Sequence, residues 1–246
     1  MSAAALQACA LRKRYGPVAA IDGIDLAIPR GQFVALFGPN GAGKSTLLGM
    51  FATLVRPSSG SVRIHGEDPR QADRPALMRR IGVLSHETFL YDHLTGLENL
   101  VFYARLYGLP DPPGAAREAL RAAGLEDRRS DQVRGYSRGM QQRLAIARAL
   151  LHAPDILLLD EPFAGLDRDA ADGLRDRLLT ARRAGATCVL ATHDFATALP
   201  VADRVVVLVS GRIAAERSAR GLDEAAFDAL LRSTTLDRPE AREAAR

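Results

Sequence analysis

Four short, uninterrupted aliphatic runs are the feature that most constrains how this chain can fold. They read QFVALF at 32–37, DILLLD at 155–160, ATCVLAT at 186–192 and RVVVLV at 204–209. Between them, apolar residues recur at helical spacing over 44–54, 95–107, 114–123, 138–151 and 168–184. Strands that are apolar along their whole length are buried on both faces, as in a parallel sheet covered by helices. The pattern therefore predicts an α/β fold with a mostly parallel sheet.

The strand pattern disappears between about residues 89 and 152, where only helical patterns remain. They are interrupted at 108–114 by GLPDPPG, because proline and glycine do not continue a helix. We therefore expect an inserted α-helical subdomain over 89–152, within a core domain formed by 1–88 and 153–233. Residues 234–246 are polar and charged and are expected to fray, since they can bury little apolar surface.

Composition restricts the classes of partner. The 33 basic residues barely exceed the 29 acidic ones, so charge gives little reason to expect nucleic acid as a partner. The longest purely aliphatic run, VVVLV, is far shorter than the roughly 18 residues that a membrane span needs. Cys9 and Cys188 match no metal-ligand spacing and favour a reducing compartment. The N-terminal stretch has its basic residues after the small apolar segment, which is the wrong order for a signal peptide.

A glycine-rich loop, GPNGAGKST, follows the first aliphatic run directly and precedes the helical pattern LLGMF. It matches G-x-x-x-x-G-K-[ST] in the strand–loop–helix context that defines a phosphate-binding loop. Its glycines let backbone N–H groups turn toward one centre, and the helix adds its positive end. Lys44 is expected to reach the β and γ phosphates, Ser45 to coordinate Mg²⁺ and Thr46 to contact phosphate. The predicted nucleotide-binding residues are Gly38, Pro39, Asn40, Gly41, Ala42, Gly43, Lys44, Ser45 and Thr46.

The run ILLLDEP ends in two carboxylates that such a site requires. Asp160 closes a hydrophobic strand and is the candidate Mg²⁺ ligand. Glu161, next to it, is the candidate general base that orients and deprotonates water. Together with the loop, this pair predicts a P-loop NTPase core that binds a nucleoside triphosphate and Mg²⁺.

The segment GYSRGMQQRLAIARALLHAPDILLLDEPFAGLD, 135–167, resembles the signature region of ATP-binding cassette proteins. In that family a Ser-x-Gly-x-Gln turn opens a helix shortly before the metal-binding strand, most often as Leu-Ser-Gly-Gly-Gln. The matching residues here are Ser137, Arg138, Gly139, Met140 and Gln141. Tyr136, Arg138 and Met140 depart from the commoner wording. Read alone, the segment also fits an ordinary helix with Ser137 as its N-cap.

The resemblance covers roughly residues 5–215 and implies ATP as the nucleotide, an antiparallel β region near the N-terminus and ATP hydrolysis. It also implies a head-to-tail dimer, in which Ser137 and its helix N-terminus cap the γ-phosphate held by the other copy. Asp167, in AGLD, corresponds to the D-loop that crosses to the partner subunit. His193, in ATHD, corresponds to the switch histidine that senses the γ-phosphate. Tyr15, in LRKRYG, corresponds to the aromatic platform for adenine, worth on the order of 1 to 3 kcal/mol.

One cassette with a short helical insert favours a subunit that docks on separate integral membrane permease subunits, peripheral at the cytoplasmic face of the inner membrane. Within that class, two segments most resemble the ATP-binding subunit of the haem exporter used in cytochrome c biogenesis. They are SHETFLYDHLTGLENLVFYARLYGL at 85–109 and the 135–167 segment. The ATP-binding subunits of drug, small-molecule or polysaccharide exporters are the alternative. A further, weaker alternative is a soluble cassette protein that takes no part in transport.

His86 occupies the position of the family's coupling-loop glutamine, and Glu87 takes that position if the alignment shifts by one residue. A neutral imidazole can hydrogen-bond a metal-bound water as an amide does. The other interpretation is a loop histidine that faces a partner or solvent. Nearby lie five of the chain's 13 Phe and Tyr residues, which are either anchors for a membrane subunit or part of a helical core. They are Phe89, Tyr91, Phe102, Tyr103 and Tyr107.

Overall fold

The computed structural model describes residues 4–236, and it has the predicted α/β fold. The chain divides into two compact units. The first comprises the described parts of 1–71 and 189–246, and the second comprises 72–188. The predicted helical insertion, 89–152, falls inside the second unit. Within residues 4–236, no helix combines the length and apolar composition that crossing a bilayer requires.

The first unit contains the antiparallel region that the resemblance implied. Strand β1 (Ala4–Tyr15) pairs antiparallel with β2 (Val18–Pro29) on one side and with β4 (Ser59–Ile64) on the other. Buried aliphatic side chains face each other across the first pair, as at Leu6 opposite Ile28. This burial of one face sets the strand register.

The first unit also contains the strand that leads into the phosphate-binding loop. Strand β3 (Phe33–Phe37) is buried along its whole length and pairs parallel with β8 (Arg204–Val209). Strand β8 continues antiparallel into β9 (Arg212–Ser218). The helices are α1 (Lys44–Phe51), α7 (Phe195–Ala198) and α8 (Glu224–Leu236). Helix α8 extends past residue 233, where we expected the core to end, and 237–246 of the predicted frayed tail lie outside the described residues.

The second unit begins with helix α2 (Arg74–Met78) and pairs β5 (Ile81–Leu84) parallel with β6 (Ile156–Asp160). Strand β7 (Thr187–Ala191) spans the boundary of the two units in the chain. The segment between β5 and β6 is helical, as predicted. Its helices are α3 (Gly96–Leu106), α4 (Pro112–Ala122) and α5 (Arg138–Leu150), and α6 (Arg168–Arg183) follows β6.

Helix α4 begins two residues before the predicted position. Our expectation that proline ends helical structure at 108–114 does not hold at its C-terminal side, because Pro112 opens the helix. A proline in the first turn loses no hydrogen bond, since that N–H has no partner within the helix. The Asp111 carboxylate caps the same turn by accepting from the Gly114 N–H at 3.0 Å.

Helices α3, α4 and α5 share a dry core around Leu100, Leu120, Val133 and Leu144, all with no exposed surface. A capping box fixes the start of α3: the Thr95 side chain accepts from the Glu98 N–H, and the Glu98 carboxylate accepts from the Thr95 N–H. These hydrogen bonds lower the pKa of Glu98. The core gives the signature helix α5 a fixed support.

Burial of His152 predicts a pH-dependent stability. Its imidazole stacks on Tyr107 with ring centroids 3.7 Å apart, and burial, with a smaller contribution from the Arg148 charge, lowers its pKa from 6.5 to about 4. The unfolded chain therefore binds the proton more readily, so this contribution is complete above pH 6.5 and is lost as pH falls toward 4. We expect a loss of about 3 kcal/mol in the free energy of unfolding between pH 7 and 4 from this group.

Urea unfolding of the native chain and His152→Phe at both pH values measures this loss. The phenylalanine keeps an aromatic ring against Tyr107 but cannot titrate. The variant should lose correspondingly less stability at pH 4 than the native chain. An identical loss in both proteins would contradict the assignment.

Candidate functional site

The loop after β3 adopts a conformation that requires glycine at two positions. Gly38 has φ +146°, and a Cβ there would lie 2.2 Å from the Leu208 carbonyl oxygen. Gly43 has φ +105°, and a Cβ there would lie 2.4 Å from the Ala20 carbonyl oxygen. Any side chain at either position would clash with backbone. Glycine is therefore needed at these two positions because the loop packs closely against neighbouring backbone, as well as for the turn itself.

Lys44 holds the loop closed. Its Nζ donates to the carbonyl oxygens of Gly38 at 2.6 Å and Pro39 at 3.1 Å, and the residue is only 8% exposed. The far side of the loop is fixed by the Gly211 N–H, which donates to the Ala42 carbonyl at 2.9 Å. An ammonium group and the N-terminus of α1 therefore lie together, which is the arrangement that binds phosphate. The other predicted phosphate-loop residues include the exposed Pro39, Asn40, Gly41 and Ser45 and the half-buried Thr46.

His193 lies in the same unit as the loop. It follows β7 in an exposed position, directly after Thr192, whose N–H donates to the Leu36 carbonyl at 3.2 Å. Asp194 then caps α7 by accepting from the Thr197 N–H at 3.2 Å. The switch segment is thus joined to the strand that leads into the phosphate loop.

Tyr15 ends β1 and is 51% exposed, so its ring is accessible to a ligand. The Lys13 Nζ lies 4.8 Å from the ring centroid. A cation over one face of an aromatic ring is a favourable contact. This arrangement orients the ring and suits the predicted adenine platform.

The two candidate carboxylates stand at the end of β6 in the second unit. Asp160 is 8% exposed. Glu161 follows with φ +48°, a left-handed backbone that is uncommon for a residue other than glycine. Its carbonyl accepts from the Ala164 N–H at 3.1 Å, which turns the chain sharply after the strand. Such outliers concentrate at functional sites, where surrounding structure holds the unfavourable conformation.

Gln142 is the functional residue that our sequence reasoning missed. Its Nε2 donates to the Glu161 carbonyl at 3.4 Å and to the Pro162 carbonyl at 3.2 Å. The amide therefore ties the signature helix to the turn that carries Glu161. Its spacing of 19 residues from Glu161 is visible in the sequence, but the contact is not, because it depends on where the fold places the start of α5 relative to the turn after β6.

Ser137 is the N-cap of α5, as the ordinary-helix interpretation expects: its Oγ accepts from the Met140 N–H at 3.3 Å. Ser137 and Arg138 are both exposed, so the helix N-terminus is accessible as well as capped. Gly139 lies close to the D-loop segment, since a Cβ there would be 3.2 Å from the Gly165 carbonyl oxygen. The two segments that the resemblance assigns to the dimer contact are therefore neighbours.

The departures from the commoner signature have structural explanations at two positions. Tyr136 is buried and its hydroxyl donates to the Arg128 carbonyl at 2.7 Å. Met140 packs against the helical core. Gln141, in turn, donates to the Val133 carbonyl at 3.3 Å. These side chains fix the base of the signature helix, while Arg138 has no such explanation.

Asp167 and the coupling-loop pair lie elsewhere in the second unit. The Asp167 carboxylate caps α6 by accepting from the Ala170 N–H at 2.8 Å. His86 and Glu87 are both exposed, and the Ser85 hydroxyl donates to the Glu87 carbonyl at 2.8 Å. Both candidates for the coupling position are therefore accessible, and the choice between them stays open.

The donor set suits Mg²⁺. Within residues 4–236, no group of three or more His, Cys, Asp and Glu side chains could hold a metal ion by itself. Mg²⁺ bound with a nucleotide takes only one or two protein oxygens, the rest coming from phosphate and water. A hydroxyl such as that of Ser45 and a carboxylate such as that of Asp160 are oxygen donors of the kind that Mg²⁺ accepts, and Mg²⁺ would supply charge neutralisation at the phosphates.

The ABC transporter family profile matches residues 21–164, more than half of the chain. The chain belongs to the ABC transporter family. It is 37% identical over 244 residues to the daunorubicin/doxorubicin resistance ATP-binding protein DrrA of Streptomyces peucetius, a match that spans 98% of this chain and 74% of DrrA. It is 39% identical over 200 residues to the ABC transporter ATP-binding protein NatA of Bacillus subtilis (strain 168), with 80% of each chain covered.

A solved structure agrees with the fold. It is the dimeric, post-hydrolysis structure of an ATP-binding cassette bound to ADP and Pi, with a TM-score of 0.80 and 30% identity over 88% of this chain and all of that one. This member of the ABC transporter family is therefore an ATP-binding subunit with the ABC ATPase fold, and ATP hydrolysis is its activity. The names of these relatives do not mention haem.

Proposed function

We propose that the chain hydrolyses Mg·ATP as one half of a head-to-tail dimer that drives separate integral membrane subunits. The proposal of hydrolysis rests on one observation: the backbone of Glu161 is left-handed, and this residue directly follows the buried Asp160. This backbone turn separates the two carboxylates into different environments, one for a metal and one for water. General-base catalysis needs a carboxylate within hydrogen-bond reach of the attacking water.

Each residue of the half-site then has a distinct task. Lys44 binds the β and γ phosphates, and Ser45 with Asp160 holds Mg²⁺, partly through water. Glu161 takes the proton of the attacking water. His193 contacts the γ-phosphate and orders the same water, and Tyr15 stacks on adenine.

The dimer part rests on the exposed start of α5 and its neighbour, the D-loop. Ser137 stands at the exposed N-terminus of α5, and Gly139, which has no side chain, lets a ligand come close to the backbone. Both features are suited to binding a phosphate held by the second copy. Arg138, Gln141 and Asp167 belong to the same face in this proposal. The dimeric state of the related cassette bound to ADP and Pi supports it.

The proposed membrane-subunit contact uses the exposed aromatics of the second unit. Phe89, Tyr91 and Phe102 are 37%, 48% and 41% exposed, whereas Tyr103 is buried and Tyr107 stacks on His152. We therefore assign the three exposed rings to the proposed contact and the other two to the helical core. Tyr91 and Phe102 meet edge to face at 5.1 Å, which makes a rigid apolar surface.

Affinity purification from native membranes tests this contact. The native chain should copurify with hydrophobic membrane proteins, and Phe102→Ser should reduce their recovery while keeping ATP turnover. Leu54→Ser, at an exposed apolar position of the first unit, is the control and should keep both. Recovery of the native chain without any membrane protein would contradict the proposal.

The transported substrate has two candidates. The 85–109 and 135–167 segments favour haem export, whereas the similarity to the DrrA drug-resistance protein over 98% of this chain favours export of another small molecule. A deletion strain distinguishes them. Loss of c-type cytochromes would support haem export; intact cytochromes with increased drug sensitivity would reject it and support the alternative.

His86 is proposed to hydrogen-bond the water shell of Mg²⁺ at the coupling loop. His86→Ala should then lower Mg·ATP turnover by about tenfold, and His86→Gln should restore most of it, because an amide can make the same hydrogen bond. The corresponding Glu87→Ala and Glu87→Gln variants separate the two candidate positions. Native turnover rates in both His86 variants would remove His86 from the nucleotide site.

A further inference from the structure

We propose that Phe227, in the C-terminal helix α8, is a positioning residue for the switch histidine, His193. The inference rests on the proposed catalytic function of His193 and extends it to a helix that the family resemblance, which ends near residue 215, does not reach. It starts from three phenylalanines of the first unit that come from separate parts of the sequence. They are Phe37, Phe195 and Phe227.

Each ring is attached to a different functional element. Phe37 is the last residue of β3, immediately before Gly38 of the phosphate loop. Phe195 opens α7, two residues after His193. Phe227 belongs to α8, about thirty residues further along the chain. The three rings therefore join the phosphate loop, the switch segment and the C-terminal helix.

The ring geometry makes Phe227 the main partner of Phe195. Their centroids lie 4.2 Å apart with an interplanar angle of 16°, a close stack. Phe227 also contacts Phe37 at 4.6 Å, whereas Phe37 and Phe195 are 6.1 Å apart. Phe227 is 3% exposed and Phe37 is 2% exposed, and Phe195 is half-buried. Removal of the Phe227 ring would leave a gap between the other two.

The switch segment depends on such support because α7 has only four residues and continues into a single 3-10 turn, Leu199–Val201. A helix of one turn is not stable by itself and takes its position from packing. On the N-terminal side, His193 is anchored through Thr192, whose N–H donates to the Leu36 carbonyl at 3.2 Å. On the C-terminal side, the Phe195 ring on Phe227 is the corresponding anchor. His193 lies between them.

Helix α8 is built to hold Phe227 in place. The Asp223 carboxylate accepts from the Ala226 N–H at 2.7 Å, and the Phe227 N–H donates to the Asp223 carbonyl at 2.9 Å. The first turn of α8, which leads into Phe227, is therefore capped by Asp223. Changes in α8 would reach the catalytic histidine through one aromatic contact.

The test is steady-state ATP turnover by the full chain with Phe227→Ala, and with Phe227→Leu as the milder change. Because a displacement of about 1 Å in a catalytic group can cost a hundredfold, we expect kcat to fall about tenfold for Phe227→Ala. The KM for ATP should change less than about twofold, since the substitution alters no residue of the phosphate loop and leaves the Lys44 contacts to Gly38 and Pro39 in place. Phe227→Leu should recover part of the rate.

A double-mutant cycle and a matched control separate positioning from general destabilisation. If Phe227 acts through His193, Phe227→Ala should cause no further loss in a His193→Ala background. Phe33→Leu, a buried phenylalanine at the opposite end of β3, should keep the native kcat at a temperature where all variants are folded. Unchanged kcat in Phe227→Ala, an undiminished loss in the His193→Ala background, or an equal loss in Phe33→Leu would overturn the inference. Failure of the native chain to hydrolyse ATP would instead contradict the proposed function.

Discussion

Glu161→Gln should lower ATP turnover at least about a hundredfold while leaving ATP affinity within a few-fold of the native value. The amide has nearly the shape of the carboxylate but cannot take a proton from water. A hundredfold loss corresponds to about 2.7 kcal/mol of transition-state stabilisation. The left-handed backbone at Glu161 and the Gln142 hydrogen bond to its carbonyl do not depend on the carboxylate, so the site should stay assembled.

Phosphate release under saturating Mg·ATP measures the turnover, and titration with a fluorescent ATP analogue measures the affinity. Glu118→Gln, an exposed glutamate on α4 in the same unit, is the matched control and should behave as the native chain does. A Glu161→Gln enzyme that turns over at the native rate would assign the base to another group.

Lys44→Met should weaken nucleotide binding strongly. Methionine keeps most of the buried aliphatic chain but removes the ammonium group and its contacts to the Gly38 and Pro39 carbonyls. Loss of charge-assisted hydrogen bonds to phosphate should weaken ATP binding by about 10- to 100-fold. Turnover should fall further, because charge that develops in the transition state also loses its partner.

Isothermal titration with Mg·ATP measures the affinity directly. Arg217→Gln, which removes an exposed cation from β9 of the same unit, controls for a general effect of charge and should bind normally. Native affinity in Lys44→Met would show that the loop does not hold the phosphates through this residue.

The parts of the fold that could be predicted are those with a local signal. All four aliphatic runs became strands with ends within one residue of the predicted ones, because continuous burial leaves no alternative for them. The phosphate loop was predictable since its strand, glycines and helix follow each other directly. We placed the start of helix α4 two residues too late, because proline ends a helix when it lies in the interior but is favourable in the first turn, where Pro112 lies.

The parts that could not be predicted depend on contacts between distant segments. Gln142 reaches Glu161 only because the start of α5 lies beside the turn after β6, and Phe227 reaches Phe195 only because α8 returns to the start of α7. The sequence shows Tyr136 only as a departure from the commoner signature, whereas in the structure its hydroxyl donates to the Arg128 carbonyl. A single sequence does not reveal such long-range partners.

The most direct test of the account is the mass of Glu161→Gln in solution, measured by size exclusion with multi-angle light scattering. The account predicts a monomer of about 26.5 kDa without nucleotide and twice that mass with Mg·ATP, since ATP joins two copies and cannot be hydrolysed. Adding Gly139→Asp, which places a carboxylate at the signature turn, should return the mass to that of the monomer while ATP binding persists. A Glu161→Gln chain that stays monomeric when saturated with Mg·ATP would contradict the shared-site dimer.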